Sequence, residues 1–83
     1  MIDNVLVTDG AGFIGSHVAD ELVNRKFQVV VLDDLSGGFR ENIPAGAKLV
    51  EGSITDHTLV SQLFDQYRFK YVFSLGGLRG GRS

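Results

Sequence analysis

Three glycines near the N-terminus have the spacing that a loop needs to hold a phosphate group. Gly10, Gly12 and Gly15 form the pattern G-x-G-x-x-G. Such glycines allow a tight turn and close backbone approach, so a pyrophosphate can lie at the N-terminus of a following helix, where unpaired N–H groups favour an anion. Phe13 and Ile14 would donate those N–H groups. The pattern predicts a dinucleotide site, provided that a strand precedes it and a helix follows.

A carboxylate stands where the ribose of such a dinucleotide would lie. Asp33 follows an apolar run and comes 18 residues after Gly15. A carboxylate there can accept both hydroxyls of the adenosine ribose and repel a 2′-phosphate, so the sequence predicts NAD rather than NADP. A glycine loop without a ligand, with Asp33 and Asp34 as ordinary loop residues, is the alternative. The strand, loop, helix, strand and acid in register favour dinucleotide binding.

The elements that must position these residues can be read from the apolar pattern. Residues 5–7 are continuously apolar and precede the glycine cluster, which is typical of a strand buried on both faces of a parallel sheet. Apolar residues at i, i+4 and i+8 predict a helix over 13–25. Residues 29–32 predict a second strand, and residues 36–44 are loop by composition. The glycine pattern therefore follows a strand and opens a helix.

The second half of the chain repeats this alternation. Residues 49–50 predict a short third strand, 55–56 begin a helix that runs to about residue 67, and 71–73 predict a fourth strand. Residues 76–83 hold four glycines and are predicted to be loop or disordered. Parallel neighbours need long, right-handed crossovers. We therefore expect an α/β, Rossmann-like half fold: a parallel sheet of about four strands in the order 3-2-1-4, with one main helix on each face.

The length allows one small domain, over residues 1–83. A chain of this size buries roughly 60% of its unfolded surface, and one helix per face leaves much of a parallel sheet uncovered. We expect poor stability for an isolated monomer. Hydrophobic residues make up 43% of the chain and charged residues 22%, which is the composition of a globular protein rather than of a disordered one.

Composition and charge also exclude classes of partner. The net charge is −2 and the eight Lys and Arg residues are scattered, so there is no basic stripe for nucleic acid. The single R-G-G element at 79–82 gives little attraction for RNA on an acidic protein. No apolar run approaches the ~20 residues that span a bilayer. The chain has no cysteine and no signal-peptide pattern, so we expect a cytoplasmic protein.

The remaining candidate side chains favour structural roles. His17 and His57 have no histidine or acid at the spacing of metal ligands, so we expect them to pack or to be solvated, and we predict no metal site. Phe64, Tyr67 and Phe73 fall at helix and strand spacing and are predicted to lie in the core.

The stretch TDGAGFIGSH at 8–17, together with VVVLDDLSGG at 29–38, resembles the extended short-chain dehydrogenase/reductase family, specifically its NAD-dependent epimerase/dehydratases. The resemblance covers essentially the whole chain. The segment YVFSLGGLRGG at 71–81 is similar to the stretch usually written H-x-A-G-L-K in the UDP-glucose (UDP-galactose) 4-epimerase subgroup, with Arg79 at the lysine position.

The resemblance implies a set of cofactor contacts. The pyrophosphate would be held by the glycine-rich loop, and the ribose, the adenine and the rest of the cofactor by later segments. The residues so implied, with Gly10 added from the glycine pattern, are Gly10, Gly12, Phe13, Ile14, Gly15, Asp33, Asp34, Leu35, Ser36, Gly37, Gly38, Ser53, Ile54, Leu75, Gly76, Gly77 and Arg79.

The resemblance also implies what the chain lacks. In the family, NAD takes a hydride from the sugar ring, a Tyr-x-x-x-Lys pair serves proton transfer, and a C-terminal region holds the nucleotide sugar. Neither Tyr67 nor Tyr71 has a lysine four residues later, because those positions are Tyr71 and Leu75. We therefore assign no catalytic residue, and expect a UDP-sugar to bind only if the missing half is supplied.

Several positions depart from the family pattern. Asp9 stands where a glycine is expected, which brings a carboxylate and a Cβ into the phosphate loop. Lys26 occupies a helix-end position that is usually glycine and is left-handed. Ser53 replaces an expected Asp, Ser74 the usual His, and Gly76 an Ala. These departures indicate a fragment, or a degraded or non-catalytic copy.

Three functions stay open from the sequence. The chain can be the front of a longer or split epimerase, or a module that binds NAD without turnover. It can also be a structural protein that self-associates through an exposed sheet edge, since pairing would cover an under-covered sheet.

Overall fold

The computed structural model describes residues 2–9 and 11–74. Within these residues, four strands and two α-helices alternate, with one short 3-10 turn. The elements are β1 (Asn4–Thr8), α1 (Phe13–Asn24), β2 (Gln28–Asp33), the 3-10 turn (Arg40–Asn42), β3 (Ala47–Glu51), α2 (His57–Tyr67) and β4 (Tyr71–Ser74). The strands form one parallel sheet in the order β3-β2-β1-β4. The predicted fold class and strand order are confirmed.

The sheet has a core on each face because alternate residues of a strand point to opposite sides. Val5 and Val7 of β1 pack with β2 residues and with Ala19 and Leu22 of α1. On the other face, Leu6 packs with Val30 and Leu32 of β2 and with Leu63 of α2. The central strands β1 and β2 are therefore buried on both sides, as their continuous apolar runs predict.

The observed bounds differ from the predicted ones mainly at the third strand. The prediction covered residues 49–50, whereas β3 extends over Ala47–Glu51. Lys48 interrupts the apolar run of this edge strand and is exposed, so the apolar run is shorter than the strand. The predicted start of the second helix is confirmed, because Asp56 caps α2 and its carboxylate accepts the N–H of Leu59 at 3.1 Å.

The expectation for the aromatic core is wrong for two of its three residues. Phe64 and Phe73 are 40% and 37% exposed, while Tyr67 packs partly buried against the α2 face of the core. The four residues of β4 are all exposed. Phe73 is exposed for this reason: β4 is the edge of the sheet, and no element among residues 2–9 and 11–74 packs beyond it.

The end of α1 has the left-handed residue that the sequence predicts. Lys26 has φ 74°, its N–H donates to the carbonyl of Val23 at 3.0 Å, and the N–H of Phe27 donates to the carbonyl of Leu22 at 3.1 Å. This pair of hydrogen bonds is a Schellman motif, and Phe27 and Leu22 pack in the same cluster, a contact that often accompanies that motif. A lysine thus holds a conformation that glycine adopts more easily.

Neither described helix is long and apolar enough to cross a bilayer.

Candidate cofactor-binding site

A cleft opens at the carboxyl ends of β1 and β2, beside the start of α1. Its volume is about 530 Å³. In open parallel sheets this edge is where ligands bind, because the loops and helix N-termini converge there. The residues that line the cleft are Asp9, Gly12, Phe13, Ile14, Gly15, Asp33, Asp34, Ser36, Gly37 and Ile54.

The structure brings most of the predicted site residues to this cleft. Nine of them line it, from the glycine-rich loop, the end of β2 and the loop after β3. Leu35, Gly38 and Ser53 lie in the same loops but do not line the cleft. Gly10, Leu75, Gly76, Gly77 and Arg79 lie outside the described residues.

The N-terminus of α1 faces the cleft without a capping side chain. Gly12 is the N-cap in extended conformation, and within the described part of the chain no side chain accepts from the first turn. The first N–H groups of a helix have no intrahelical acceptor. Those of Phe13, Ile14 and Gly15 are therefore available to a ligand, and the positive end of the helix dipole favours an anionic one.

Asp33 joins the two loops that form the cleft. It is 4% exposed; its Oδ2 accepts the N–H of Ala11 at 2.8 Å, and its Oδ1 accepts the N–H of Leu35 at 2.7 Å. Each carboxylate oxygen has a second lone pair, so Asp33 can still accept a hydroxyl from the cleft side. The structure adds an anchoring contact to the residue that the sequence assigned to the ribose.

The loop after β2 is tightly organised around Asp34. Its Oδ1 accepts both the N–H of Ser36 at 2.9 Å and the hydroxyl of Ser36 at 2.8 Å. These two hydrogen bonds, the backbone one first, hold the pKa of the Asp34 carboxyl below its usual range. Leu35 between them has φ 65°, which is unusual for a bulky residue.

Of the pair Ser53 and Ile54, which the resemblance assigns to adenine, only Ile54 lines the cleft. Ile54 is 52% exposed and lines the cleft. The Ser53 hydroxyl instead lies 2.7 Å from the Thr55 hydroxyl and accepts the Thr55 N–H at 3.1 Å. Ser53 therefore shapes the turn before α2.

Of the two histidines predicted to pack or to be solvated, His17 has an aromatic contact. The His17 ring packs edge-on against Phe13, with ring centroids 4.9 Å apart. Among the described residues, no three His, Cys, Asp or Glu side chains form a group that could hold a metal ion.

Comparison with known proteins decides the family. The model of the NAD dependent epimerase/dehydratase family matches residues 5–83. The chain belongs to this family. The resemblance that residues 8–17 and 29–38 indicated is confirmed.

Relatives within the family are UDP-glucose 4-epimerases. The chain is 45% identical to the enzyme of Azospirillum brasilense over 73 residues, which is 88% of this chain and 21% of that enzyme. It is 47% identical to the enzyme of Streptomyces lividans over 64 residues, covering 77% of this chain and 20% of that enzyme. The chain thus spans about a fifth of the length of these curated relatives.

Solved structures agree with this assignment. A UDP-glucose 4-epimerase from Thermotoga maritima with UDP-glucose superposes with a TM-score of 0.87 at 45% identity, over 92% of this chain and 25% of that one. The Thermus thermophilus UDP-glucose 4-epimerase in complex with NAD superposes with a TM-score of 0.80 at 42% identity, over 87% of this chain and 23% of that one.

Asp9 is the departure from the family pattern that the cleft makes important. It lines the cleft with φ 59°; its N–H donates to the carbonyl of Leu32 at 2.9 Å, and its carbonyl accepts the N–H of Gly12 at 3.3 Å. With Asp33 and Asp34 it makes three aspartates among the described lining residues, which include no lysine or arginine. Among the described lining residues, a phosphate would therefore find its hydrogen-bond donors mainly in backbone N–H groups.

Two residues support the cleft from outside it: Asn42, which sequence reasoning missed, and Gly38, which the sequence predicted as a cofactor contact. The side-chain amide of Asn42 donates to the carbonyl of Ala11 at 2.9 Å. Gly38 passes so close to the glycine-rich loop that an added Cβ would lie 2.4 Å from the Ala11 carbonyl oxygen. The glycine in the loop composition was a signal for Gly38, but nothing in the sequence relates Asn42 to a residue 31 positions away.

Proposed function

We propose that this chain binds NAD in the cleft at the start of α1, as the dinucleotide-binding part of a nucleotide-sugar epimerase. The observation that carries the proposal is the juxtaposition of the uncapped N-terminus of α1 with the carboxylate of Asp33 at the end of β2, on one cleft. The first feature suits a pyrophosphate and the second a ribose.

Each part of NAD has a candidate partner in the proposal. The N–H groups of Phe13 and Ile14 hold the pyrophosphate, with the glycines allowing close approach. Asp33 accepts the adenosine ribose hydroxyls, and the adenine packs on Ile54. Asp34, Leu35, Ser36, Gly37 and Gly38 shape the ribose side, Ser53 the adenine side, and Gly10, Leu75, Gly76, Gly77 and Arg79 complete the predicted set.

The charges of the cleft favour NAD over NADP. Asp33 and Asp34 both line the region where the ribose would lie. A 2′-phosphate placed there would meet two carboxylates, with no described lining cation to offset them. A ligand whose adenosine ribose keeps a free 2′-hydroxyl, as in NAD, avoids this repulsion.

Catalysis is not part of the function proposed for this chain alone. The Tyr-x-x-x-Lys pair is absent from its sequence. We propose that the chain is the N-terminal part of a UDP-glucose 4-epimerase-like enzyme, and that a UDP-sugar binds only where the rest of the enzyme is supplied. A cytoplasmic location, which the cysteine-free composition favours, belongs to the same proposal and is tested by cell fractionation.

Calorimetric titration of the purified chain with NAD tests the proposal. Saturable binding of NAD, with weaker binding of NADP, is expected. Ile54→Ser should weaken NAD several-fold because the adenine loses apolar contact. Ile2→Ser is the matched control, since Ile2 is 65% exposed but precedes β1, at the opposite end of the strands. A folded chain that takes up no NAD would overturn the proposal.

Self-association through β4 is a second candidate, favoured by one observation. Tyr71 and Val72 of this edge strand are 47% and 45% exposed, and an exposed apolar edge can pair with another strand. Sedimentation equilibrium should then show dimers that Val72→Lys dissociates, because a lysine on an edge strand opposes pairing. A wild-type chain that stays monomeric at high concentration would overturn this candidate.

A further inference from the structure

Both polar backbone groups of Ala11 are held by other segments of the chain. Ala11 itself is fully buried. Its N–H donates to Asp33 Oδ2 at 2.8 Å. Its carbonyl accepts two hydrogen bonds, from the N–H of Phe39 at 3.1 Å and from Nδ2 of Asn42 at 2.9 Å. We call these three hydrogen bonds the Ala11 clamp.

Asn42 is presented to the clamp by an anchored turn. Its own N–H donates to the carbonyl of Phe39 at 3.0 Å, closing the 3-10 turn. The next residue, Ile43, packs against the core on the α1 face. At the start of the turn, Arg40 pairs with Glu51 of β3 at 2.9 Å. The turn that carries the Asn42 side-chain amide is thereby attached to the sheet through Arg40 before it and to the core through Ile43 after it.

The position of Asn42 separates it from both the core and the cleft. It is an exposed residue and belongs to neither hydrophobic cluster. It does not line the cleft. Its side chain nevertheless reaches the residue directly before Gly12, the N-cap of the helix whose N–H groups face the cleft. A conformational change at Ala11 would therefore turn the N–H groups of Phe13 and Ile14.

We propose that Asn42 is a positioning residue for the dinucleotide, acting through the Ala11 clamp. This inference rests on the proposed NAD function. Without the Asn42 amide, the buried Ala11 carbonyl keeps one donor instead of two, and the glycine-rich loop gains freedom that a bound pyrophosphate must remove. Ligand affinity falls for that reason, although Asn42 touches no part of the ligand.

The test compares Asn42→Ala with Asn4→Ala in the full chain. Asn4 is the matched control because its Nδ2 also donates to a backbone carbonyl, that of Tyr67, at the amino end of β1. NAD affinity is measured by calorimetry and the exchange of the Ala11 and Phe39 amides by NMR. Asn42→Asp is the second variant, since it keeps the shape of the side chain and replaces the donor with an acceptor.

Asn42→Ala should weaken NAD by about threefold to tenfold, the effect of one net hydrogen bond, and speed exchange of both amides by a similar factor. Asn42→Asp should weaken NAD at least as much, and Asn4→Ala should change neither readout. If Asn42→Ala matches Asn4→Ala in affinity and in exchange, the inference is overturned. If the wild-type chain binds no NAD, the proposed function fails, and unchanged amide exchange in Asn42→Ala would overturn the clamp independently.

Discussion

The carboxylate of Asp33 accepts the backbone N–H of Ala11 at 2.8 Å, across 22 residues of sequence. This hydrogen bond ties the end of β2 to the glycine-rich loop that follows β1. Because Asp33 also accepts the N–H of Leu35, one buried side chain sets the distance between the two loops of the cleft.

Asp33→Asn should therefore destabilise the fold as well as the cofactor site. An amide has one acceptor oxygen, so its NH₂ group must face one of the two backbone N–H donors and leave it unpaired. A buried unpaired donor costs about 1–3 kcal/mol. Urea denaturation should show a loss of this size, while Asp65→Asn, on the exposed side of α2, should show almost none. Equal stabilities of the two variants would show that an asparagine at position 33 replaces both hydrogen bonds of the carboxylate with no loss of unfolding free energy.

Asp9→Gly should raise the affinity for NAD. The substitution removes a carboxylate from the cleft and a Cβ from a residue with φ 59°. With that carboxylate ~4 Å from a phosphate, repulsion of about 1 to 4 kcal/mol corresponds to roughly fivefold to thousandfold in affinity. Calorimetry on Asp9→Gly and wild type measures the gain.

Asp9→Asn separates the charge from the backbone, since asparagine tolerates the left-handed region. Its gain over wild type should shrink as the ionic strength rises, because salt screens the repulsion. Identical affinities of wild type and both variants would show that the Asp9 carboxylate does not act on the bound ligand.

Gly38→Ala should destabilise the fold where Gly37→Ala does not. A Cβ on Gly38 would lie 2.4 Å from the Ala11 carbonyl oxygen and 2.8 Å from the Gly12 nitrogen, both backbone atoms, whereas a Cβ on Gly37 meets nothing within 4 Å. We expect Gly38→Ala to cost about 1–3 kcal/mol of stability, as overpacking does, and to weaken NAD. Thermal unfolding compares the stabilities of the two variants, and equal stabilities would contradict the close approach of the two loops. Calorimetry of Gly38→Ala against wild type measures the loss of NAD affinity.

Lys26→Gly should stabilise the chain without affecting ligand binding. Relief of a left-handed lysine in the Schellman motif is worth ~1 kcal/mol, which raises Tm by about 4–8 °C in a domain of this size. Arg25→Gly is the control, because Arg25 has φ −87° and gains nothing from glycine. A lower Tm for Lys26→Gly would show that the lysine side chain contributes more than its conformation costs.

Ser36→Ala should raise the pKa of Asp34 toward its usual range. The variant keeps the backbone N–H of Ser36, the larger cause of the lowered pKa, and removes the hydroxyl. Because the folded-state pKa lies below the unfolded one, the ionised carboxylate stabilises the fold above about pH 4, and that contribution is lost as the pH falls through the folded-state pKa. An NMR titration of the Asp34 carboxyl carbon measures the change. An unchanged pKa would show that the Ser36 hydroxyl does not lower the pKa of Asp34.

The sequence predicted the site better at its centre than at its rim. Asp33 and the described predicted residues of the glycine-rich loop, Gly12 to Gly15, line the cleft, because their roles depend on the backbone and on the order of neighbouring elements. Ser53 does not, since a serine in a turn can bond locally instead of facing a ligand, as it does with Thr55. Phe73 was misjudged because strand spacing alone does not tell a central strand from an edge.

The sequence by itself determined the elements, their parallel order and the chemistry of the cleft. Apolar runs of period two or 3.6 specify strands and helices locally, and right-handed crossovers leave few ways to connect them. Only the tertiary structure decided that Asn42 and Asp33 hold Ala11 from opposite sides, and that β4 is exposed. Those contacts join segments far apart in the chain, and their geometry is set by how the sheet, the turn and α1 pack together rather than by any local pattern.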